Sequence, residues 1–315
     1  MENKPVFIVE SNNAIGGVET IIELLKHECE IIIFRNKLEC LKAILSGLKI
    51  HSLNERTVIL NQPFSSFLFL LFYNSKNVFY ILHINFFEGK KLRKLLAYFF
   101  FKFLKFKNTR LITWSNYMSI ELKKYLPIVF NPPVFKTYKI EKIKSMNWDV
   151  RDIDFLFLGR LEFQKGADLL LEISEKLNKK LNIIGKGSIM FEESNKLKYL
   201  GAKKLDEVYT FLSRTKVLIM PSRFEGLGLV ILEALRFGCN VVAFDCKYGP
   251  KDLNNFFKKN IYLSKVGDID DFSIKALKAL IEKPKEIDKN IFNNFSEKNF
   301  IQQLRSEINN CNPAL

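Results

Sequence analysis

Short apolar runs alternate with longer segments of helical period over most of this chain. Val6–Glu10, Ile31–Phe34, Thr57–Asn61 and Val78–His83 read as strands, because β-branched and aromatic residues bunch there between turn signals. Helices are predicted at Val18–Lys26 and Phe64–Tyr73. The second is almost wholly apolar, so it is expected to be buried between two strands. A fresh series starts at Asp154–Leu158 and runs through a helix at Ala167–Leu177, a strand at Leu181–Ile184 and a helical region at Lys203–Ser213. A strand at Lys216–Met220, a Gly-rich loop, a helix at Val230–Phe237 stopped by Gly238, and a buried strand at Asn240–Asp245 follow. Such alternation predicts an α/β protein with parallel sheets covered on both faces.

Between the two series, Lys136–Arg151 is charged and has no strand periodicity, as a linker would. The expected organisation is a Rossmann-like domain over 1–135, a linker over 136–152, a second Rossmann-like domain over 153–295, and a terminal segment over 296–315 that carries a helix near Ser296–Asn309. A length of 315 residues and a hydrophobic fraction of 48% supply cores for two modest domains. The five cysteines are odd in number and form no C-x-x-C pair, and the chain opens directly on a strand. Reduced thiols in a cytoplasmic setting are expected. No apolar run reaches the roughly 18 residues that span a bilayer.

Charge changes the picture in one place. The net charge is +15, and Gly89–Arg110 carries eight basic residues and no acidic one. Tyr98, Phe99, Phe100, Phe101, Phe103 and Phe106 are interleaved with those cations. A helix of this kind suits an anionic membrane surface, with rings in the interface and cations over head groups. The alternative is a surface helix packing its rings on its own domain. Nucleic acid is not expected, since no recognition motif accompanies the basic patch.

The richest stretch is Pro221–Asp245, PSRFEGLGLVILEALRFGCNVVAFD, with Glu225 in the loop and Glu233 about two turns into the helix that follows. In a βαβ unit this loop leaves the carboxyl end of a strand, where ligands bind and free N–H groups meet anions. Two carboxylates there can accept hydrogen bonds from both polyol ends of a nucleotide sugar. The stretch resembles the donor-binding E-x7-E signature of the retaining GT-B glycosyltransferases, family 4 in particular. The resemblance implies a GT-B fold, two Rossmann-like domains facing across a cleft, with the terminal helix returning to the first domain.

Further segments are similar to that family's motifs. Asn13–Glu19, with Gly16 and Gly17, follows the first strand and opens a helix. Gly159-Arg160 and Lys165-Gly166 resemble its G-R…K-G pair, Gly185 lies in a family turn, and Tyr199–Ala202 resembles the segment bordering the base. His83 ends a strand, where the family places a histidine beside the transferred sugar, although Ile84-Asn85 stands where Asp often follows. A histidine satisfied within the core is the competing reading. Trp114-Ser115-Asn116 and Val129–Pro132 align with cleft-facing turns. Asp268-Ile269-Asp270 fits a metal-binding D-x-D by letter alone and is expected to be solvent-facing or a helix cap.

By resemblance, His83, Glu225, Arg160 and Lys165 are the catalytic candidates. Donor binding falls to Gly16, Gly17, Arg160, Lys165, Gly185, Ala202, Glu225, Gly226, Leu227, Gly228 and Glu233. Glu233 would hold the ribose hydroxyls, while Glu225 and the amides after it would hold the sugar. No metal or other cofactor is expected, because Arg160 and Lys165 would neutralise the leaving diphosphate. The implied reaction is transfer of a hexose or N-acetylhexosamine from a nucleotide sugar, UDP-linked by expectation, to a polyprenyl-diphosphate-linked glycan in bacterial O-antigen, capsule or other surface-polysaccharide synthesis. The protein would then be peripheral on the inner face of the membrane. Alternatives are a soluble GT-B transferase making a small glycoside or glucan, or a non-catalytic nucleotide-sugar or nucleic-acid binder.

Overall fold

The structure, a computed structural model, describes residues 4–10, 21, 22, 24–45, 53, 56–75, 77–83, 91–130, 143–192 and 194–311. The chain divides into two compact units, Met1–Pro133 with Glu297–Leu315, and Val134–Ser296.

In the first unit, β1 (Val6–Glu10), β2 (Glu30–Phe34), β3 (Thr57–Leu60), β4 (Asn77–Leu82), β5 (Arg110–Thr113) and β6 (Ile128–Phe130) form one sheet in the order β2-β1-β3-β4-β5-β6. Every pairing is parallel. β3 and β4 sit in the middle and are buried along almost their whole length, which is why both read as continuous apolar runs. The crossovers contain α1 (Lys37–Leu45), α2 (Pro63–Phe72), α3 (Lys91–Phe106) and α4 (Asn116–Leu122). The terminal helix of the chain, α5, spans Glu297–Cys311 and belongs to this unit. Its Phe300 ring lies 5.9 Å from that of Trp114, and its Arg305 makes two 2.7 Å hydrogen bonds to Glu28.

One expectation for this unit needs correction. The apolar segment at α2 is not a buried helix. Ser65, Ser66, Phe69 and Leu70 face inward, while Phe67, Leu71 and Phe72 are exposed. A helix on a sheet buries one stripe, whatever the composition of the other.

The second unit holds β7 (Ile153–Leu158), β8 (Leu181–Ile184), β9 (Leu197–Tyr199), β10 (Thr215–Met220), β11 (Asn240–Phe244) and β12 (Ile261–Ser264). Their order is β12-β11-β10-β7-β8-β9, again all parallel. Helices α6 (Leu170–Leu177), α7 (Leu205–Arg214), α8 (Leu229–Arg236) and α9 (Pro250–Phe257) lie between them in sequence, and α10 (Ile269–Ile281) follows β12. Phe155, Phe157, Ile183, Val217, Ile219, Val242 and Phe244 alternate into a core shared with Phe272 of α10.

Arg151 fastens the entry to β7. Its buried guanidinium donates to the carbonyls of Thr215 (2.5 Å), Phe237 (2.6 Å) and Gly238 (3.0 Å) and to Ser145 Oγ (2.7 Å). The three carbonyls lie just beyond the ends of α7 and α8, so one side chain satisfies groups that the helices leave open. Arg151→Ala would remove the donor that these carbonyls share, leaving Phe237 O to Ser145 Oγ and Thr215 O to Cys239 Sγ. It is expected to cost about 3 kcal/mol or more, read as a lower urea midpoint. An unchanged midpoint would show that water replaces the guanidinium without loss.

Candidate active site

The carboxyl ends of β10, β7, β8 and β9 lie side by side, and the loops that leave them carry most of the candidate residues. The loops after β7 and β8 are tied together by backbone hydrogen bonds, Gly159 N–H to Ile184 O (3.1 Å) and Leu161 N–H to Lys186 O (2.9 Å). A Cβ on Gly185 would stand 1.8 Å from the Gly159 carbonyl oxygen, so this approach requires glycine. Gly185 N–H then donates to Gly201 O (3.0 Å), which brings the exposed Ala202 next to the same turn.

The central contact is between charges sixty positions apart in sequence. Gly166 adopts φ 69°, and a Cβ there would lie 2.0 Å from the Pro221 carbonyl oxygen. Its absence lets the loop after β7 sit directly against the loop after β10. As a result Lys165 Nζ is 2.6 Å from Glu225 Oε1, in a largely buried ion pair. Arg160 stays exposed and donates to Gln164 Oε1 (2.7 Å), while Gln164 Nε2 donates to Phe224 O (3.0 Å). Arg223 closes the loop pair from the other side with two 2.7 Å hydrogen bonds to Asp168, which hold that carboxyl below its ordinary range.

Gly226, Leu227 and Gly228 lead into α8. Gly228 stands at the N-cap without a side chain to satisfy the first N–H groups of the helix. Among the described residues, the amides of Gly226, Leu227 and Gly228 donate no hydrogen bond. This combination of unspent N–H groups and adjacent cations favours an anion. Glu233 lies about one turn into α8, not two, and is half-buried. Its carboxylate has no hydrogen bond or ion pair among the described residues, and burial pushes its pKa up to about 7.

His83 belongs to the first unit, just past β4. Its Nε2 is 2.6 Å from Asn61 Oδ1, and Trp114 Nε1 donates to its Nδ1 at 3.3 Å. An indole N–H can only donate, so Nδ1 is the acceptor and the proton resides on Nε2, donated to Asn61. Burial lowers the pKa to about 4, which keeps the ring neutral at physiological pH. Both ring nitrogens therefore have protein partners, and contact with a substrate through either would require an exchange. Asn61 is itself 1% exposed, and its Nδ2 has no partner among the described residues.

Other candidates have structural duties. Ser115 caps α4 by accepting from Met118 N–H at 3.0 Å. Asp268 caps α10, and Asp270 pairs with Lys176 at 2.5 Å, so this D-x-D is spent on a helix start. Gly16, Gly17, Ile84, Asn85 and Asn131-Pro132 lie outside the described residues. Sequence reasoning missed Gln164, Asp168 and Arg223, whose roles arise from contacts between two loops; no local pattern marks them. A mixed-charge hollow lined by Asp152, Asp154, Lys180, Asn182, Lys198 and Arg214 includes the amino ends of β7 and β8, away from these loops.

Two α/β domains built on parallel sheets, with these loops at the strand carboxyl ends, fit the GT-B fold of glycosyltransferases. Among solved structures, TarM superposes with a TM-score of 0.67 at 20% identity, covering 88% of this chain and 59% of that one. The apo lipopolysaccharide outer core galactosyltransferase WaaB gives 0.66 at 20% identity, over 96% of this chain and 99% of that one. At such identity the likeness is one of fold. The chain belongs to the family described as glycosyl transferases group 1, whose profile matches residues 139–297, half of its length. An uncharacterized glycosyltransferase of Haemophilus influenzae is 37% identical over 146 residues, 41% of this chain and 39% of that protein. The amylovoran biosynthesis glycosyltransferase AmsD of Erwinia amylovora is 35% identical over 111 residues, 31% of each. The chain thus matches two-fifths or less of the length of these two relatives.

Proposed function

We propose that this chain is a retaining glycosyltransferase of family 4 whose second unit binds a nucleotide sugar through the E-x7-E pair Glu225 and Glu233. The observation that carries the reading is the packing of Lys165, Arg160, Glu225 and the unspent amides of Gly226–Gly228 at one sheet edge. A diphosphate brought there would meet Lys165, Arg160 and the start of α8. Lys165 would turn from Glu225 to the phosphate, freeing Glu225 to accept hydrogen bonds from the sugar hydroxyls. Glu233, ionised, would accept from the ribose. Gly185 and Ala202 would border the nucleotide.

Transfer then needs no protein nucleophile. The bond between the anomeric carbon and the diphosphate oxygen breaks as the acceptor oxygen bonds to that carbon from the same face. The acceptor proton passes to the departing phosphate. The two cations and the helix amides stabilise the charge that develops there, which is the work a metal does in other transferases, so turnover is expected without one. The donor we favour is a UDP-hexose or UDP-N-acetylhexosamine. The acceptor is a glycan on a polyprenyl diphosphate, in synthesis of a surface polysaccharide by a protein peripheral to an anionic membrane. A relative named for amylovoran biosynthesis supports that setting.

A panel of UDP- and GDP-sugars, incubated with the chain and EDTA, tests the reading. One donor should raise the melting temperature and be hydrolysed slowly to free nucleotide. If no donor does either, the transferase reading fails.

A further inference from the structure

Among the described residues of the first unit, α2 and α3 leave an apolar face exposed. α3 buries Ala97, Phe101 and Leu104 along one stripe. A helix packed this way is ordinarily polar elsewhere. Here the meridian opposite the buried stripe, at helical period, is Leu95, Phe99 and Phe106, exposed by 53%, 59% and 80%. α2 extends the face. Its Phe67 ring lies 4.9 Å from that of Phe103 on α3, and its Phe67, Leu71 and Phe72 are 41%, 48% and 57% exposed. These are the residues that composition alone assigned to the interior.

A row of cations borders the apolar meridian of α3. Lys91, Lys94, Lys102 and Lys105 are exposed, and none is in an ion pair among the described residues. Lys102 Nζ lies 4.8 Å over the ring of Tyr98. No acidic residue occurs between Gly89 and Arg110 to offset them. Among the described residues no helix is long and apolar enough to cross a membrane.

We propose that α2 and α3 together form a docking face for an anionic lipid bilayer. The rings and leucines enter the boundary between head groups and acyl chains, with the lysine row over the lipid phosphates. Charge complementarity selects this occupant over a second copy of the chain. In a symmetric pair through α3 each lysine row would meet the other, with no acid between Gly89 and Arg110 to receive it. The proposal deepens the reading of a lipid-linked acceptor and rests on it for its purpose. Vesicle binding involves no sugar chemistry, so the two can fail separately.

The test is flotation of the full chain with vesicles of phosphatidylglycerol and phosphatidylcholine, beside vesicles of phosphatidylcholine alone. The wild type should float with the anionic vesicles and be released by salt. Phe99→Ser with Phe106→Ser should lower partitioning about tenfold or more, from the lost apolar burial. Lys94→Glu with Lys102→Glu and Lys105→Glu should lower it by a similar factor or more. All five side chains are exposed, so unchanged circular dichroism and melting are expected for both variants. A wild type that ignores both kinds of vesicle overturns the proposal, as do variants that float like wild type. A wild type that instead forms dimers lost on Phe99→Ser with Phe106→Ser would assign the face to a second copy and overturn it too.

Discussion

Replacing Lys165 by alanine is expected to lower transfer about 100- to 1,000-fold, the loss typical of removing one preorganised group from a developing negative charge. It should also destabilise the fold. Glu225 is only 5% exposed, and without Lys165 its carboxylate would be a buried charge deprived of its partner. Breaking such a pair costs about 3–5 kcal/mol, whereas removing both charges is often close to neutral. Lys165→Met with Glu225→Leu should therefore recover much of the stability lost by Lys165→Ala and none of the activity. Thermal unfolding and donor hydrolysis on the same samples separate the two effects. If the single variant keeps wild-type turnover, Lys165 does not serve the leaving group. If the double variant is less stable than the single one, the ion pair is not the source of the cost.

Glu233 should behave in the opposite way, because its burial opposes the charge that binding needs. Its pKa is about 7 in the fold against an ordinary 4.5, so the folded chain holds a proton that the unfolded chain releases. The sign follows from linkage: wild-type stability falls as pH rises from about 4.5 to about 7 and is flat above, as far as this group is concerned. Glu233→Gln removes that loss. The variant should gain roughly 2 kcal/mol over wild type at pH 8, a figure reduced for partial exposure, and nothing at pH 4. Nucleotide affinity should fall about 100-fold, since an amide presents one acceptor where the ionised carboxylate presents two oxygens to the ribose. Unfolding curves at pH 4 and pH 8 decide the matter. A destabilised variant at pH 8 would place Glu233 among ordinary packing residues.

The strands were legible because short β-branched and aromatic runs have few other uses. Thr57–Asn61 and Lys216–Met220 were expected, and Thr57–Leu60 and Thr215–Met220 are found. Leu197–Tyr199 was not read as a strand; it is three residues at a sheet edge, too short for a period to show. The sidedness of α2 was hidden for a different reason. When nearly every residue is apolar, the sequence contains no contrast from which to choose the inner face.

At the site, residue types were legible and their partners were not. The turn motifs pointed to Lys165 and Glu225 separately, as a phosphate cation and a sugar acceptor. Their contact depends on Gly166 letting two distant loops touch, a fact of tertiary structure. His83 was placed at a strand end, yet Asn61 and Trp114 went unread as its partners. In a parallel sheet the residues just past adjacent strands are neighbours. Leu82 is in register with Thr113, so His83 and Trp114 meet by construction. Reading across strands in this way would have found the pair.

Calorimetric titration of UDP, with EDTA present, into the wild type and Glu233→Gln tests the central claim most directly. The account predicts a single site on the wild type, weakened about 100-fold in the variant. Equal affinity in the two proteins, or no binding of UDP or GDP to either, would contradict it.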